Sequence, residues 1–315
     1  MQAKKNVTVI YYPNCKINLG LRVVRKREDG YHDLETVFVP VYGLHDVLEV
    51  EPNPAQSRFE CSQDILRLQG RENISFIQEG LAVDCDPEDN LIVKCYRQMA
   101  DKYPQIGPVA VRFTKNIPFG AGLGGGSSDA AHMALALNEL FGLGLSREQL
   151  AQEVRPLGAD CPFFIYNRPC YAEGIGDMLT PIDLDLKGIR IVLVKPAEGV
   201  STKEAYSGIQ PRNDTSKARL MSATKLLNDV ALQLNDVFIN DFEATVFPKH
   251  PIIADIKKRL QEAGAFYASM SGSGSTVFGL FKHDAEGSTD TDLALLKQEF
   301  ASMILLDDTF GEWKA

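Results

Sequence analysis

A glycine-rich segment in the first half of the chain has the composition of a phosphate-binding loop. Residues 118–128 read Pro-Phe-Gly-Ala-Gly-Leu-Gly-Gly-Gly-Ser-Ser, between a strand-like and a helix-like segment. Glycine lets the backbone approach a ligand closely, and the amides and dipole of a helix N-terminus attract anions. The spacing predicts that Ser127 and Ser128 cap the following helix and that Asp129 lies in its first turn. The segment therefore indicates a polyphosphate site.

Three other interpretations of this loop can be compared with the phosphate site. A Walker A loop needs lysine directly before the serine or threonine, where this chain has Gly126, so it is excluded. The dinucleotide fingerprint is matched by Gly120, Gly122 and Gly125, but its context is wrong. Residues 109–115 alternate like a half-exposed antiparallel strand, and the helix leads to another helix instead of a strand. A loop that only turns the chain remains possible, although so many glycines at a helix start cost backbone entropy.

The composition is that of a globular protein long enough for two domains. The chain has 315 residues, of which 44% are hydrophobic and 24% charged, and its net charge is −9. This acidic balance argues against nucleic acid or a membrane surface as a partner. No apolar run approaches membrane-spanning length, and residues 1–6 lack the apolar core of a signal peptide, so we expect a cytoplasmic protein. The six cysteines show neither metal-ligand spacing nor a disulfide framework, and we expect buried free thiols.

The predicted elements describe an α+β chain with a β-rich start. Strands are predicted at residues 7–12, 16–23 and 34–42, and a helix capped by Asn90 at 91–102. Alternation in the second strand places Lys16 and Asn18 on one face, opposite an apolar face. We therefore expect these two side chains to face the same site.

The second half of the chain predicts one catalytic turn and one compact unit. A helix with a capping box at Ser146 and Gln149 breaks at Pro156, which leaves an exposed turn at residues 157–162 that carries Asp160. From residue 189 the order is strand, helix, strand, strand, helix, strand, which fits a split βαββαβ unit. We predict an N-terminal domain over residues 1–165 and a C-terminal domain over residues 166–315.

The motifs together resemble the signature segments of the GHMP kinases, small-molecule kinases related to galactokinase, homoserine kinase and mevalonate kinase. The matching segments are residues 118–128, Lys16 with Asn18, and residues 271–276. Five shorter segments also resemble, in order, one branch of this family that acts on a cytidine diphospho sugar alcohol: residues 13–19, 29–32, 124–128, 157–160 and 172–176.

The resemblance implies a fold and an activity. The fold would be a two-domain GHMP kinase fold, with an N-terminal ribosomal-S5-like domain that binds ATP and carries the base, and a C-terminal ferredoxin-like βαββαβ domain on the substrate side. The activity would be ATP-dependent phosphorylation of the 2-hydroxyl group of the cytidine diphospho sugar alcohol, in the non-mevalonate route to isoprenoid precursors. Phosphoryl transfer needs positioning, charge stabilisation and a group that accepts the hydroxyl proton.

The resemblance also implies roles for individual residues. Asp160 would be the base and Lys16 its partner, because a nearby ammonium keeps a carboxylate ionised. ATP would be bound by Asn90, Pro118, Phe119, Gly120, Ala121, Gly122, Leu123, Gly124, Gly125, Gly126, Ser127 and Ser128. The substrate would be bound by Asn18, Tyr31, His32, Tyr206, Gly272 and Ser273, with Tyr31 and His32 at the cytosine.

Some questions stay open at this point. We expect Mg²⁺ to accompany ATP, but its ligands are unknown, and Asp129 would either point away from the phosphates or approach them through Mg²⁺. The alternative function is another GHMP kinase of the mevalonate or homoserine type, which the Gly-Tyr-His turn at residues 30–32 disfavours. A protein that kept the fold and lost catalysis is disfavoured by the presence of both Lys16 and Asp160. The expected partner is a small-molecule substrate, with no nucleic acid and no membrane, and the expected state is a monomer or weak homodimer.

Overall fold

The computed structural model describes residues 7–52, 66–67, 74–83, 85–212, 214–215, 217–225, 234–282 and 288–311. The chain divides into two compact units, each built from separate segments. The first unit comprises Met1–Cys15, Leu44–Phe119 and Gly124–Asn167, and the second comprises Lys16–Gly43, Gly120–Leu123 and Arg168–Ala315. The predicted boundary after residue 165 lies close to the last change of unit, whereas the sequence predicts neither of the second unit's two earlier segments. The assignment of separate roles to two domains stays a prediction.

The strands and helices alternate irregularly along the chain. The strands are β1 (Val9–Tyr11), β2 (Asn14–Lys26), β3 (His32–His45), β4 (Val47–Pro52), β5 (Leu66–Arg67), β6 (Ile74–Gly80), β7 (Val109–Lys115), β8 (Cys170–Glu173), β9 (Met178–Pro181), β10 (Arg190–Val194), β11 (Tyr267–Met270), β12 (Val277–Phe281) and β13 (Ile304–Thr309). The helices are α1 (Leu91–Lys102), α2 (Gly125–Leu140), α3 (Arg147–Val154), α4 (Cys161–Tyr166), α5 (Thr202–Tyr206), α6 (Lys217–Lys225), α7 (Leu234–Val237), α8 (Glu243–Val246), α9 (Pro251–Glu262) and α10 (Ser288–Glu299).

The first unit combines a five-stranded sheet with α1 to α4. Its strand order is β1-β4-β7-β6-β5. The strand β7, which leads into the glycine-rich loop, is central: it pairs antiparallel with β4 and parallel with β6. The predicted antiparallel pairing is confirmed on the β4 side, whereas β6 pairs parallel and the prediction that the strand is half-exposed is wrong. Five of its seven residues are buried, including the terminal Lys115, whose charge is paired inside the unit.

Helix α2 is the central helix of the first unit. It packs against α1, α3, α4 and β4, and most of its residues are buried. A helix surrounded in this way is apolar on nearly all sides, and its several alanines allow close approach of the neighbouring elements. The capping box of Ser146 and Gln149 forms at the start of α3, as predicted. Helix follows helix after the glycine loop, which confirms that the context is not that of a dinucleotide fold.

The second unit contains two antiparallel sheets. One has the order β2-β3-β8-β9, of which the sequence does not predict β8 and β9. The other has the order β11-β12-β10-β13 and is completed by α9 and α10. The predicted βαββαβ unit is confirmed, because β10, α9, β11, β12, α10 and β13 follow in that order. Ile253, Ile256 and Leu260 of α9 are buried in its core.

The cysteines and helices of the described residues agree with most of the composition-based expectations. Free thiols are found at Cys15, Cys85, Cys95, Cys161 and Cys170, all buried except the exposed Cys85, whereas Cys61 lies outside the described residues. None of the helices in the described residues has the length and apolar character needed to cross a membrane.

Candidate functional site

Helix α2 starts without a capping hydrogen bond from any side chain of the described residues. Its N-cap is Gly124, whose φ of +70° lies in the left-handed region that glycine adopts readily. No side chain in the described part of the chain caps this end. The first helical hydrogen bond runs from Ser128 N–H to Gly124 C=O at 3.0 Å. The amides of Gly125, Gly126 and Ser127 therefore precede the helical hydrogen-bond pattern, and such amides could donate to an anion.

This start differs from the one that the sequence predicts. Ser127 and Ser128 are the third and fourth residues of α2, so the prediction that they cap it is wrong. Asp129 likewise lies beyond the first turn. The physical reason is that Gly124 supplies the backbone conformation that begins the helix, which leaves the two serines inside it.

The four loop residues before Gly124 belong to the second unit, where their carbonyl groups are held. Lys16 N–H of β2 donates to Leu123 C=O at 3.0 Å, and Thr276 N–H donates to Ala121 C=O at 3.2 Å. The hydroxyl of Ser271 donates to Gly122 C=O at 2.9 Å. An added Cβ at Gly122, where φ is +76°, would lie 2.1 Å from the carbonyl oxygen of Ser271. Close backbone approach therefore requires glycine at this position.

The second glycine-rich turn, residues 271–276, connects β11 to β12. Ser271 N–H donates to Thr276 C=O at 2.9 Å, and Asn240 Nδ2 donates to Gly272 C=O at 2.9 Å. Gly272 lies beside Asn18, because an added Cβ would be 3.6 Å from Asn18 Oδ1. The hydroxyl of Ser273 lies 3.4 Å from that of Thr202 at the start of α5. Both candidate substrate residues of this turn therefore have polar neighbours in the second unit.

Asp160 lies on a turn that contacts the first turn of α2 within the first unit. Gly158 approaches both elements, since an added Cβ would lie 3.5 Å from Ser127 Oγ and 3.3 Å from Cys161 Sγ. Burial raises the pKa of Cys161 to about 12, partly offset by a hydrogen bond with the Ser127 side chain. The turn that carries the candidate base therefore contacts Ser127 in the first turn of α2 through the neighbours of Asp160 at positions 158 and 161.

The turn around Asp160 is partly buried and leads into a helix. Residues 157–160 are partly covered, and α4 begins at Cys161, so the predicted exposed turn over residues 157–162 is wrong for its last two residues. Pro162 at the start of this helix and the buried Phe163 and Phe164 favour that helix. Asp160 is the N-cap of α4, but its side chain does not make a capping hydrogen bond.

Asp129 faces the interior of the first unit. Its Oδ2 accepts a hydrogen bond from Lys115 Nζ at 2.8 Å, and Lys115 also pairs with Asp46. Burial raises the pKa of Asp129 well above its usual range, and Lys115 opposes this shift. Of the two alternatives for Asp129, the structure favours the one in which it points away from a ligand.

Lys16 and Asn18 lie side by side on β2 in the second unit. Lys16 Nζ donates to Asn18 Oδ1 at 2.6 Å, and Asn18 Nδ2 donates to Thr36 Oγ1 at 3.0 Å. The ammonium also lies 5.0 Å from the ring centroid of Phe38, a favourable cation–π distance. The two side chains share a face as predicted, but both are buried. Lys16 and Asp160 lie in different units, so their pairing stays a prediction.

Two of the candidate cytosine residues, His32 and Tyr206, belong to an aromatic cluster in the second unit. The rings of His32 and Tyr206 stack at a centroid distance of 4.7 Å, and the rings of Tyr206 and Phe242 form a T-shaped pair at the same centroid distance. Tyr31 is 61% exposed, and its backbone N–H donates to Asp29 Oδ1 at 3.0 Å. Burial, and to a lesser degree Lys26, lowers the pKa of His32, which favours a neutral ring that can donate and accept hydrogen bonds.

Asn90 and Phe119 complete the set of predicted ligand residues. Asn90 caps α1 as predicted, with Ile92 N–H donating to its Oδ1 at 2.9 Å. This bond occupies the side-chain carbonyl of Asn90. The role of Asn90 in binding a ligand stays a prediction. Phe119 is 57% exposed, whereas Ala121 and Leu123 of the same loop are buried.

Comparison with known proteins identifies the family. The family described as GHMP kinases N terminal domain matches residues 90–168, and GHMP kinases C terminal matches residues 220–289. A 4-diphosphocytidyl-2-C-methyl-D-erythritol kinase of Bacteroides thetaiotaomicron is 46% identical over 274 residues, covering 87% of this chain and 92% of the relative. One of Parabacteroides distasonis is 42% identical over 290 residues, covering 91% and 98%.

The chain belongs to the 4-diphosphocytidyl-2-C-methyl-D-erythritol kinase family. A crystal structure of a 4-(cytidine 5'-diphospho)-2C-methyl-D-erythritol kinase matches with a TM-score of 0.70 and 30% identity, covering 94% of this chain and 96% of that one. A homoserine kinase from Cytophaga hutchinsonii shares the fold, with a TM-score of 0.64 and 19% identity. The predicted GHMP kinase fold and small-molecule kinase class are confirmed, and the mevalonate or homoserine alternative is not favoured.

Several residues that shape the site of this kinase were not predicted from the sequence. They are Lys115 and Asp46 beside α2, Thr36 beside Asn18, Thr202 beside Ser273, and Phe242 behind Tyr206. A signal existed for Lys115, because it ends a strand just before the glycine loop. The others are brought in by elements that are distant in sequence, which local patterns do not reveal.

Proposed function

We propose that this protein transfers the γ-phosphoryl group of ATP to the 2-hydroxyl group of 4-diphosphocytidyl-2-C-methyl-D-erythritol, giving the 2-phosphate and ADP. The names of the relatives support this substrate, because they are 40 to 46% identical over most of the chain. The structural observation that carries the proposal is the contact between the Asp160 turn and the uncapped start of α2. A proton acceptor beside an anion site is what phosphoryl transfer to a hydroxyl group requires.

The glycine loop is proposed to bind the triphosphate through backbone groups. The amides of Gly125, Gly126 and Ser127 would donate to phosphate oxygens, and the dipole of α2 would stabilise their negative charge. The other loop residues from Pro118 to Ser128, together with Asn90, would form the rest of the nucleotide site. This assignment follows the family motif and the observed helix start.

Asp160 is proposed to accept the proton of the 2-hydroxyl group as it attacks the phosphoryl group. Lys16 would be the cation that keeps Asp160 ionised and balances the charge of the transferring group. Asn18 holds Lys16 by a hydrogen bond within the second unit, which fixes the direction of the ammonium. The pairing of Lys16 with Asp160 is part of the proposal.

The cytidine end of the substrate is proposed to bind at the aromatic cluster of the second unit. A flat, stacked pair such as His32 and Tyr206 presents ring faces to a nucleobase, and a neutral His32 can hydrogen-bond to the base. The exposed ring of Tyr31 would cover the other side of the base. Asn18, Gly272 and Ser273 would contact the remainder of the substrate.

Mg²⁺ is proposed to accompany the nucleotide and to neutralise charge on its phosphates. No group of three or more acidic, histidine or cysteine side chains in the described residues could hold a metal by itself. This fits an ion held mainly by phosphate oxygens and water, with few protein ligands. Asp129 is an unsuitable ligand, because Lys115 pairs with it.

The location and assembly state are proposed from the composition. We propose a cytoplasmic monomer or weak homodimer that binds neither nucleic acid nor membranes. The net charge of −9 supports the absence of nucleic-acid and membrane binding, since both of those partners favour basic surfaces.

A coupled assay of ADP release tests the proposed reaction. The purified protein should consume ATP only when the cytidine diphospho sugar alcohol is present, and mass spectrometry should find one phosphate added to the substrate. Activity with mevalonate or homoserine and none with the cytidine compound would overturn the assignment.

Replacement of the base separates catalysis from binding. Asp160→Asn should lower kcat by about 10² or more while the dissociation constant for ATP changes little. Asp101→Asn, which alters an exposed carboxylate near the end of α1, is the matched control and should keep the activity. An unchanged kcat in Asp160→Asn would remove Asp160 as the base.

A further inference from the structure

We propose that Asp46, Lys115 and Asp129 form a positioning network that sets the start of α2 for the nucleotide phosphates. The inference rests on the proposed function, because it assigns a role to side chains behind the same phosphate site. None of the three is proposed to touch ATP. They would act through the backbone of the glycine loop and of α2.

The network consists of the buried ammonium group of Lys115 and the two carboxylates that pair with it. Lys115 Nζ donates to Asp129 Oδ2 at 2.8 Å and to Asp46 Oδ2, and all three side chains are almost completely buried. Burial opposes the charge of Lys115, but the carboxylates of Asp129 and Asp46 outweigh it and raise its pKa. The ammonium is therefore retained inside the unit.

The network joins the two flanks of the glycine loop. Before the loop, Asp46 Oδ1 accepts hydrogen bonds from Asn116 N–H at 2.6 Å and from Ile117 N–H at 2.8 Å. After the loop, Asp129 lies on the second turn of α2. Lys115 links these two anchors, so the chain that enters the loop and the helix that leaves it are held by one ammonium group.

The network lies directly against the first turn of α2. An added Cβ at Gly125 would lie 3.0 Å from Lys115 Nζ and 2.9 Å from Ile117 Cγ2. Gly125 does not have a positive φ, since the left-handed glycines of the loop are Gly120, Gly122 and Gly124. A side chain at position 125 would therefore displace Lys115 or Ile117, which shows how closely the network packs against the first turn of α2.

Stability alone does not account for such an arrangement. Removing two carboxylates and an ammonium from water is costly, and buried ion pairs are often replaced by apolar residues without loss of stability. What the network supplies is a fixed direction for the backbone at both ends of the loop. Phosphoryl transfer depends on such positioning, because small displacements of the phosphates lower the rate.

The test measures binding of a non-hydrolysable ATP analogue by calorimetry, together with the thermal midpoint of each variant. Asp129→Ala should raise the dissociation constant for the analogue about tenfold, because α2 loses its anchor. Asp129→Asn should restore binding to within about threefold, since its amide oxygen can still accept a hydrogen bond from Lys115. In steady-state assays KM for ATP should rise while KM for the second substrate stays within about threefold.

Glu153→Ala is the matched control in the same unit. Glu153 of α3 is a buried carboxylate. It accepts hydrogen bonds from Lys102, the last residue of α1, and from Tyr103, the residue that follows α1. It should lower the thermal midpoint to a similar extent and leave nucleotide binding unchanged. If Asp129→Ala does not fold, Asp46→Asn replaces it. Both Asp46 oxygens accept hydrogen bonds, and the single amide oxygen of asparagine can keep those from Asn116 and Ile117 N–H but not the one from Lys115, so a rise in the dissociation constant is again expected.

The outcomes separate this inference from the proposed function. Wild-type protein that binds the analogue, with variants of the network that bind equally well, overturns the inference alone. The same holds if Glu153→Ala weakens binding as much as Asp129→Ala does. Wild-type protein that fails to bind the analogue overturns the proposed function and the inference with it.

Discussion

The two glycine-rich turns look alike in sequence and differ in what their backbone does. Residues 118–128 lead into α2 and leave amides at the helix start without a capping side chain in the described residues. Residues 271–276 connect two antiparallel strands, and several of their polar groups are already bonded within the second unit. Part of this bonding is to the first of the two glycine-rich turns, because Ser271 donates to Gly122 C=O and Thr276 donates to Ala121 C=O.

The difference shows that glycine content alone does not identify an anion site. Glycine is needed in the second turn for close contact, as at Gly272, which has φ +57° and lies against Gly122. In the first of the two turns, glycine is needed at Gly122 for close contact with Ser271. It is also needed at Gly124, whose left-handed backbone conformation begins α2 without a capping side chain. We infer that residues 118–128 bind the nucleotide phosphates, and that residues 271–276 support this loop in addition to their proposed contact with the substrate.

The largest effect is expected where the two turns meet, at Gly122. Gly122→Ala should lower the free energy of unfolding by about 3 kcal/mol or more, because it adds left-handed strain and a clash with Ser271. Gly120→Ala is the matched control: φ is +64°, but the space is open, so a loss of only about 1 kcal/mol is expected. Chemical denaturation measures both values, and equal losses would contradict the contact between the turns.

Loss of the supporting hydroxyl group should have a smaller effect. Ser271→Ala removes the hydrogen bond to Gly122 C=O and should cost about 1 kcal/mol of unfolding free energy. If the second turn supports the first, the affinity for an ATP analogue should also fall, although by less than about tenfold. If Ser271→Ala loses the expected stability but binds the analogue with unchanged affinity, the second turn stabilises the fold and does not affect nucleotide binding.

Helix α1 offers a capped helix start for comparison with the uncapped α2. Asn90→Ala should cost about 1 kcal/mol of stability through loss of the cap. Asn90→Asp keeps a capping oxygen but loses the amide donor, so stability should stay close to that of the wild type. A raised KM for ATP in Asn90→Asp would then assign the donor to the nucleotide, and an unchanged KM would leave Asn90 as a cap alone.

The smallest effect is expected at His250, near the second turn. His250 lies 3.1 Å from both Glu198 and Glu204, and Ser275 of the turn donates to Glu198 C=O at 2.6 Å. Burial opposes its charge, but the two glutamates outweigh burial and raise the pKa of His250. Its contribution to stability is therefore complete below pH 6.5 and is lost as the pH rises through the folded-state pKa.

The variant His250→Gln checks the sign of this contribution. It should lower stability by less than about 1 kcal/mol at pH 6, since the glutamates are partly exposed, and by less still at pH 9. Urea denaturation at the two pH values gives the comparison. A larger loss at pH 9 than at pH 6 would contradict the proposed pairing of a protonated His250.

Local patterns predicted the elements that depend on nearby residues. The cap of α1, the capping box of α3 and the βαββαβ order follow from residues a few positions apart, and all are confirmed. The predictions about β7 and the start of α2 fail for different reasons, because Gly124 begins α2 before the two serines, whereas the burial of β7 depends on Lys115. Lys115 looks like a surface residue until Asp46 and Asp129, which are 69 and 14 residues away along the chain, neutralise it in the interior.

The site was predictable to the extent that it consists of contiguous motifs. The glycine loop and the Asp160 turn were found because each carries its own chemistry within a few residues. The residues that hold them were not, because strands such as β8 and segments such as residues 120–123 contact elements that are distant from them along the chain. Tertiary contacts of this kind leave no periodic signal in a single sequence.

The most direct test of the central claim is a titration of glycine-labelled protein with an ATP analogue, followed by amide NMR. The account predicts that the largest shift changes occur at Gly124, Gly125 and Gly126, with smaller ones at Gly272 and Gly274. Changes confined to Gly272 and Gly274, with the three glycines at the start of α2 unmoved, would contradict it.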